Sequence, residues 1–182
     1  MMNRCMWAQG PEMIQYHDKE WGIPVHNDKK LFEMLILEGA QAGLSWSTIL
    51  KRRKTYRKAF DDFDLKIVSK YTQKDITRLL SDEGIIRNRL KIKSTINNAQ
   101  KFLEIQKEFG HFDKYLWSFV EGKPIKNNFA KHSDIPTSTV LSDQISKDLK
   151  KRGFSFVGTT IIYAYLQAVG IVNDHTKNCF RH

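Results

Sequence analysis

Apolar residues in this chain recur at spacings of three and four, and no stretch sustains a two-residue alternation. That period belongs to helices packed through one face, so the expected fold class is all-α. Residues 28–39 (DKKLFEMLILEG) read as a largely buried helix, with Leu31 and Leu35, and Phe32 and Ile36, one turn apart. Residues 45–60 read as an amphipathic helix with a dense Lys/Arg face. Thr72 followed by Asp75 marks a helix start close to a capping box, in a helix running to about Ser81. A long helix over 88–109 should stop at Gly110, and 112–120 forms a short apolar element. The periodless stretch 121–141 is the longest loop. Ser142 can cap a helix that ends at Gly153. In 157–169, length and the closing Gly170 favour a buried helix over a strand, despite the Ile and Val content.

The chain has 182 residues, 41% of them hydrophobic, which suits one domain over 1–182 that can be organised in two lobes. Thirty Lys and Arg against twenty Asp and Glu leave a net charge of +10, a balance that favours a polyanionic partner, nucleic acid first. No apolar run approaches the ~18 residues of a membrane span, and the first residues lack the apolar centre of a signal peptide. The expectation is a cytoplasmic protein without a membrane partner.

The two cysteines, Cys5 and Cys179, stand near opposite ends, and a cytosolic chain seldom keeps a structural disulfide. His175-Thr-Lys-Asn-Cys179 sets two soft ligands four residues apart, on one face if the segment is helical. Cys5 and His17 join them if the N-terminal segment folds back. A Cys₂His₂ set is the tetrahedral ligation of structural zinc, with no open position for a reacting water. The alternatives are cysteines acting as small buried hydrophobes and His17 as a surface histidine.

Two other clusters carry chemistry. In 82–93 (DEGIIRNRLKIK) Gly84 permits a turn, and Arg87, Arg89, Lys91 and Lys93 crowd the start of the next helix. Exposed amides, a helix N-terminus and basic side chains make a phosphate site in the outline of a helix-hairpin-helix clamp. An ordinary charged helix start is the alternative. The run 51–58 is read as a solvated basic face. Around 16–46, Tyr16, Trp21 and Trp46 accompany Glu38, a carboxylate following a mostly apolar run and so expected to be partly desolvated. Such a group beside aromatic rings can form a pocket for a base drawn out of a duplex. Core aromatics and a solvated helix-end glutamate are the plain reading.

Several ordered blocks, from RCMWAQGPEMIQYHDKEWG through EGAQAGLSW, DEGIIRNRLKI and WSFVEGKP to IPTSTVL and FVGTTIIYAYLQAVGIVNDHTKNC, together resemble the bacterial 3-methyladenine DNA glycosylase I family over nearly the whole chain. The resemblance implies a helix-hairpin-helix glycosylase fold, with the hairpin at about 73–109. It implies one structural Zn²⁺ per chain on Cys5, His17, His175 and Cys179, joining the termini. It places Glu38 as the carboxylate that hydrogen-bonds the methylated adenine, Tyr16 and Trp21 as pocket lining, and Trp46 as the stacking ring. Gly43 and Leu44 stand on the loop that probes the DNA, and Gly84, Arg87, Arg89 and Lys91 on the hairpin that meets phosphates. The implied activity is monofunctional hydrolysis of the 3-methyladenine glycosidic bond in double-stranded DNA, by a monomer, releasing free 3-methyladenine. Two departures from the wider superfamily stand out. Asn173 occupies the usual catalytic aspartate position in Val172-Asn173-Asp174-His175, leaving the general base open, and the hairpin has one glycine where many have two. A non-catalytic DNA-binding module, and an enzyme of other alkylated bases or free nucleosides, are the competing readings.

Overall fold

The computed structural model describes residues 3–182. Among these residues the helices are α1 (Pro11–Lys19), α2 (Asp28–Gln41), α3 (Trp46–Ala59), α4 (Leu65–Val68), α5 (Gln73–Leu80), α6 (Arg89–Phe109), α7 (Phe112–Ser118), α8 (Val140–Lys151) and α9 (Thr159–Ala168). Strand is confined to a two-residue parallel pair, β1 (Ile125–Lys126) and β2 (Val172–Asn173). The pair ties the long 121–141 segment to the C-terminal one.

α2 is the central element. Every residue from Leu31 to Ala40 is buried, with Leu31, Phe32 and Leu37 fully so. Asn27 caps it by accepting from the Lys30 amide at 2.9 Å. Asp28 does a second job. Its carboxylate accepts from the amides of Phe112 and Asp113 at 2.9 and 2.8 Å, so the start of α7 is capped from another helix. α3, α6, α7 and α9 all pack on α2. Glu38 therefore enters the protein interior as part of a helix with no solvated face over that stretch.

Ser45 caps α3, and Thr72 with Asp75 forms the expected capping box of α5. α8 starts earlier than Ser142. Thr139 is its cap and Ser142 closes the box from the third position. The 112–120 element is helical only to Ser118.

The α5–α6 connection corrects two readings. Gly84 does not adopt the left-handed backbone that glycine alone favours. It is needed for space, because an added Cβ would lie 2.8 Å from Thr55 Cβ on α3. The turn is clamped to α3 by Arg52 on the Glu83 carbonyl, Thr55 on the Gly84 carbonyl and the Ile86 amide on Tyr56 Oη. The basic run 51–58 is a solvated face only at Lys51, Lys54 and Lys58. Arg52 holds the turn, and Arg53 is buried between Glu20 and Glu33.

Candidate functional site

α1 carries Tyr16 and His17 side by side, and their side chains leave the helix toward different places. Tyr16 lines a cavity of about 320 Å³ together with Trp7, Trp21, Glu38, Gln41 and Trp46. Met13, Ala164 and Gln167 extend the wall, and His132 and Ile135 from the long loop stand at its edge. The rings of Tyr16 and Trp46 lie 5.3 Å apart, those of Trp7 and Trp21 5.0 Å apart. The rings in each pair pack on one another, tilted by 52° and 77°, and together they give the cavity an aromatic wall.

Glu38 is 5% exposed. No hydrogen bond joins the Glu38 carboxyl or the Tyr16 hydroxyl to another of the described residues, both residues line the cavity, and Trp46 Nε1 is an enclosed donor without an acceptor. Burial pushes the Glu38 carboxyl up to about 8, so it is mostly protonated at neutral pH. Burial, then the neighbouring Glu38, keeps the Tyr16 phenol well above its ordinary value. These groups form a polar set on the wall of an otherwise largely apolar cavity. A cation entering beside Glu38 would draw the carboxyl toward its ionised form.

The second centre lies next to the first. Cys5, His17, His175 and Cys179 are all buried, and their ligand atoms lie within 4.8 Å of one another. Cys179 Sγ is 3.3 Å from His17 Nε2 and 3.3 Å from His175 Nδ1, and Cys5 Sγ is 3.5 Å from His175 Nδ1. The S-to-N edge of a tetrahedral thiolate–imidazole metal site is about 3.6 Å, so the set can hold a metal ion. The remaining ring nitrogens are already fixed. His17 Nδ1 meets Asp18 at 2.8 Å, and His175 Nε2 meets the Trp21 carbonyl at 3.0 Å. Such partners orient an imidazole toward a metal. The 175–179 spacing works without the expected helix. The segment is a turn, with the Cys179 amide donating to the Thr176 carbonyl at 2.7 Å.

Asn173 and Asp174 do not line the cavity. Asn173 accepts from the His175 amide at 3.1 Å. Asp174 is fully buried and held by Tyr163 at 2.5 Å, Gln167 at 2.8 Å and Asn127 at 2.7 Å. Gly43 and Leu44 form the α2–α3 connection, with Leu44 42% exposed. Arg87 and Arg89 are exposed at the α5–α6 turn. Lys91 is not placed for a phosphate. Its ammonium turns inward and donates to the carbonyls of Ala40 and Ala42 at 2.8 and 2.6 Å, closing the C-terminal end of α2.

The methyladenine glycosylase family model matches residues 7–182. The chain belongs to the methyladenine glycosylase family. Within it, DNA-3-methyladenine glycosylase 1 of Escherichia coli K12 is 51% identical over 98% of this chain and 96% of its own length. A crystal structure of 3-methyladenine DNA glycosylase I superimposes with a TM-score of 0.96 at 50% identity, covering 99% of this chain and all of that one. The Staphylococcus aureus 3-methyladenine DNA glycosylase I, solved for the structural basis of 3-methyladenine recognition, gives 0.95 at 40% identity over 99% of this chain and 96% of its own. Among the described residues of this methyladenine glycosylase, no helix is long and apolar enough to cross a membrane.

Sequence reasoning missed Trp7, Met13, His132, Ile135, Ala164 and Gln167 as cavity lining. Ala164 and Gln167 share one face of α9 at i, i+3 spacing, a signal that can be read. The 132–135 turn has no periodic signal at all. Asp18, adjacent to His17, was the legible hydrogen-bond partner of that candidate ligand.

Proposed function

We propose that this protein is a base-excision repair enzyme, a monofunctional DNA glycosylase that extrudes 3-methyladenine from double-stranded DNA and hydrolyses its glycosidic bond, leaving an abasic site. One observation carries the reading: a buried, unpartnered Glu38 carboxyl inside a cavity walled by aromatic rings. Methylation at N3 places positive charge on adenine, which makes it a good leaving group. The enzyme must then extrude it, hold it and admit water. Trp46 and Tyr16 supply ring contact, with stacking contributing about 1–3 kcal/mol. Glu38 discriminates. Neutral adenine meets a mainly protonated carboxyl, whereas the cationic base favours the carboxylate and gains a charge-assisted hydrogen bond. That contact must not hold the ground-state cation so firmly that its departure as neutral base is opposed. The cavity lining carries no lysine, which favours simple hydrolysis over a Schiff-base route.

The Cys5, His17, His175 and Cys179 set suits one structural Zn²⁺ per chain, all four positions filled by protein. Bound there, the ion would tie the chain ends together behind the cavity. The α5–turn–α6 unit is the helix-hairpin-helix of this reading, with Gly84, Arg87 and Arg89 toward the phosphate backbone and Gly43 and Leu44 probing the duplex. A monomer suffices for all of these parts.

The deciding experiment incubates purified protein with methylated duplex DNA and follows free 3-methyladenine by chromatography. Release of 3-methyladenine in preference to 7-methylguanine is expected. A folded, metal-loaded protein that releases no base would be a DNA-binding module, and equal release of both bases would overturn the substrate assignment.

A further inference from the structure

We propose that Gln167 selects the 6-amino group of the extruded purine, and that the buried carboxylate of Asp174 is the positioning residue that turns the Gln167 side chain for this task. The inference rests on the base-pocket reading above. Asp174 is fully buried and does not line the aromatic cavity. A carboxylate in that setting needs donors. Asn127 supplies one to Oδ1, and Tyr163 supplies one to Oδ2. Burial, then Asp174 itself, holds the Tyr163 phenol above its ordinary value, so it keeps its proton and donates. Each carboxylate oxygen thus has a partner before Gln167 is counted. Gln167 Nε2 then adds a third hydrogen bond, to the same Oδ2, at 2.8 Å.

Gln167 does line the cavity. A carboxylate only accepts, so a single orientation of the amide bonds to it, with Nε2 toward Asp174. Oε1 is what the side chain leaves to the cavity, and no hydrogen bond joins it to another of the described residues. The main chain is fixed as well, because the Gln167 carbonyl accepts from the Gly22 amide at 2.9 Å, next to Trp21. A freely turning glutamine offers donor and acceptor alike and selects nothing. Held at both ends, this one offers an acceptor, ordered before the base arrives. Glu38 comes from α2 and Gln167 from α9, so two oxygen-bearing side chains reach the base from different helices. A 6-amino group has two N–H to give them, and in the methylated cation these donors are charge-assisted. A 6-oxo group has none and would set its lone pairs against Oε1, leaving both unpaired. The Asp174–Gln167 pair thus separates methylated adenine from methylated purines with an oxygen at position 6. Glu38, which reads positive charge, does not make that choice alone.

Binding of two free bases tests the assignment: 3-methyladenine, and 3-methylhypoxanthine with an oxo group in place of the 6-amino group. Wild-type protein should favour 3-methyladenine. Gln167→Leu should weaken 3-methyladenine binding by about tenfold and leave 3-methylhypoxanthine binding unchanged or tighter. Asp174→Asn should reduce the same preference, because a carboxamide at 174 no longer dictates how the Gln167 amide turns. In the Gln167→Leu background, Asp174→Asn should change the preference no further, since it acts through Gln167. Loss of packing alone would weaken both bases in proportion. Equal losses on the two bases, an undiminished preference in Gln167→Leu, or a wild-type protein that binds both alike would overturn the selection by Gln167. A further fall in the double variant would overturn Asp174 as its positioning residue. Folded wild-type protein that binds neither base would instead overturn the base pocket, and this selection with it.

Discussion

His175 donates through Nε2 to the main-chain carbonyl of Trp21, 3.0 Å away, while its other nitrogen faces Cys5 and Cys179. The Trp21 and His175 rings also meet edge to face, 4.6 Å between centroids. The Cys₂His₂ cluster, which could hold a metal ion, is thus built against the wall of the aromatic cavity.

With the proposed ion bound by this cluster, its chelation should do more than lower the melting temperature. It should change tryptophan fluorescence and weaken binding of free 3-methyladenine. Asp18→Asn, which removes the carboxylate orienting His17, should lower metal affinity about 10–100-fold, read by competition with a chromophoric chelator. Unchanged affinity would remove Asp18 from the metal site, and Cys179→Ala protein that still carries one metal ion would reject the ligand set.

Glu38 and Glu33 lie on the same helix and should give opposite pH signatures. Burial lifts Glu38 from 4.5 to about 8, so its protonated form favours the fold. That contribution is complete below pH 4.5 and is lost as pH rises toward 8, by on the order of 3 kcal/mol at pH 7. Glu38→Gln removes the titration. Its stability relative to wild type, from chemical denaturation at pH 5 and pH 8, should rise with pH. Parallel profiles would show that Glu38 is solvated.

Burial alone would raise Glu33, but hydrogen bonds from Arg53 and Arg57 outweigh it and hold the carboxyl at about 2. The stability this supplies is present above pH 4.5 and is lost as pH falls toward 2. Arg53→Met leaves Glu33 and Glu20 short of a partner, Glu33 being only 5% exposed, and should cost about 3–5 kcal/mol at pH 7. The penalty should shrink in acid, where the stranded carboxylates protonate. A cost independent of pH would point to lost packing alone.

Period and caps were enough to place α2, α3, α5, α6, α8 and α9 to within a few residues; α2, α3, α6 and α8 begin at a side chain that accepts a hydrogen bond, whereas α9 begins at Gly158 and was placed by its apolar length and Gly170. α1 escapes the period, with only Met13, Ile14 and Tyr16 apolar in nine residues, although Pro11 in its first turn is a start signal. Burial of Glu38 was legible because an apolar run precedes it. Lys91 was misread because charge in a sequence does not say which way a long side chain turns. The carbonyls of Ala40 and Ala42 that hold it are about fifty residues away. Gly84 was misread for the same reason, since the atom that excludes a side chain there belongs to Thr55.

Gly170 is the position where local and distant demands coincide. Its φ of +71° disfavours any side chain, and a Cβ there would fall 2.2 Å from the Ile23 carbonyl carbon and 2.4 Å from Pro24 N. These are main-chain atoms that cannot swing aside. The same junction is held by Gly22 N on the Gln167 carbonyl at 2.9 Å and Val25 N on the Val169 carbonyl at 3.0 Å. Gly170→Ala must therefore part the 22–25 segment from the end of α9, which moves Trp21 and Gln167 in the cavity wall. The expected cost exceeds the ~1–3 kcal/mol of ordinary overpacking, so the variant should unfold at much lower denaturant. Gly158→Ala, with open space around its Cβ, is the control and should stay within about 1 kcal/mol of wild type. Equal stability of the two variants would show that Gly170 does not lie against the 23–24 backbone.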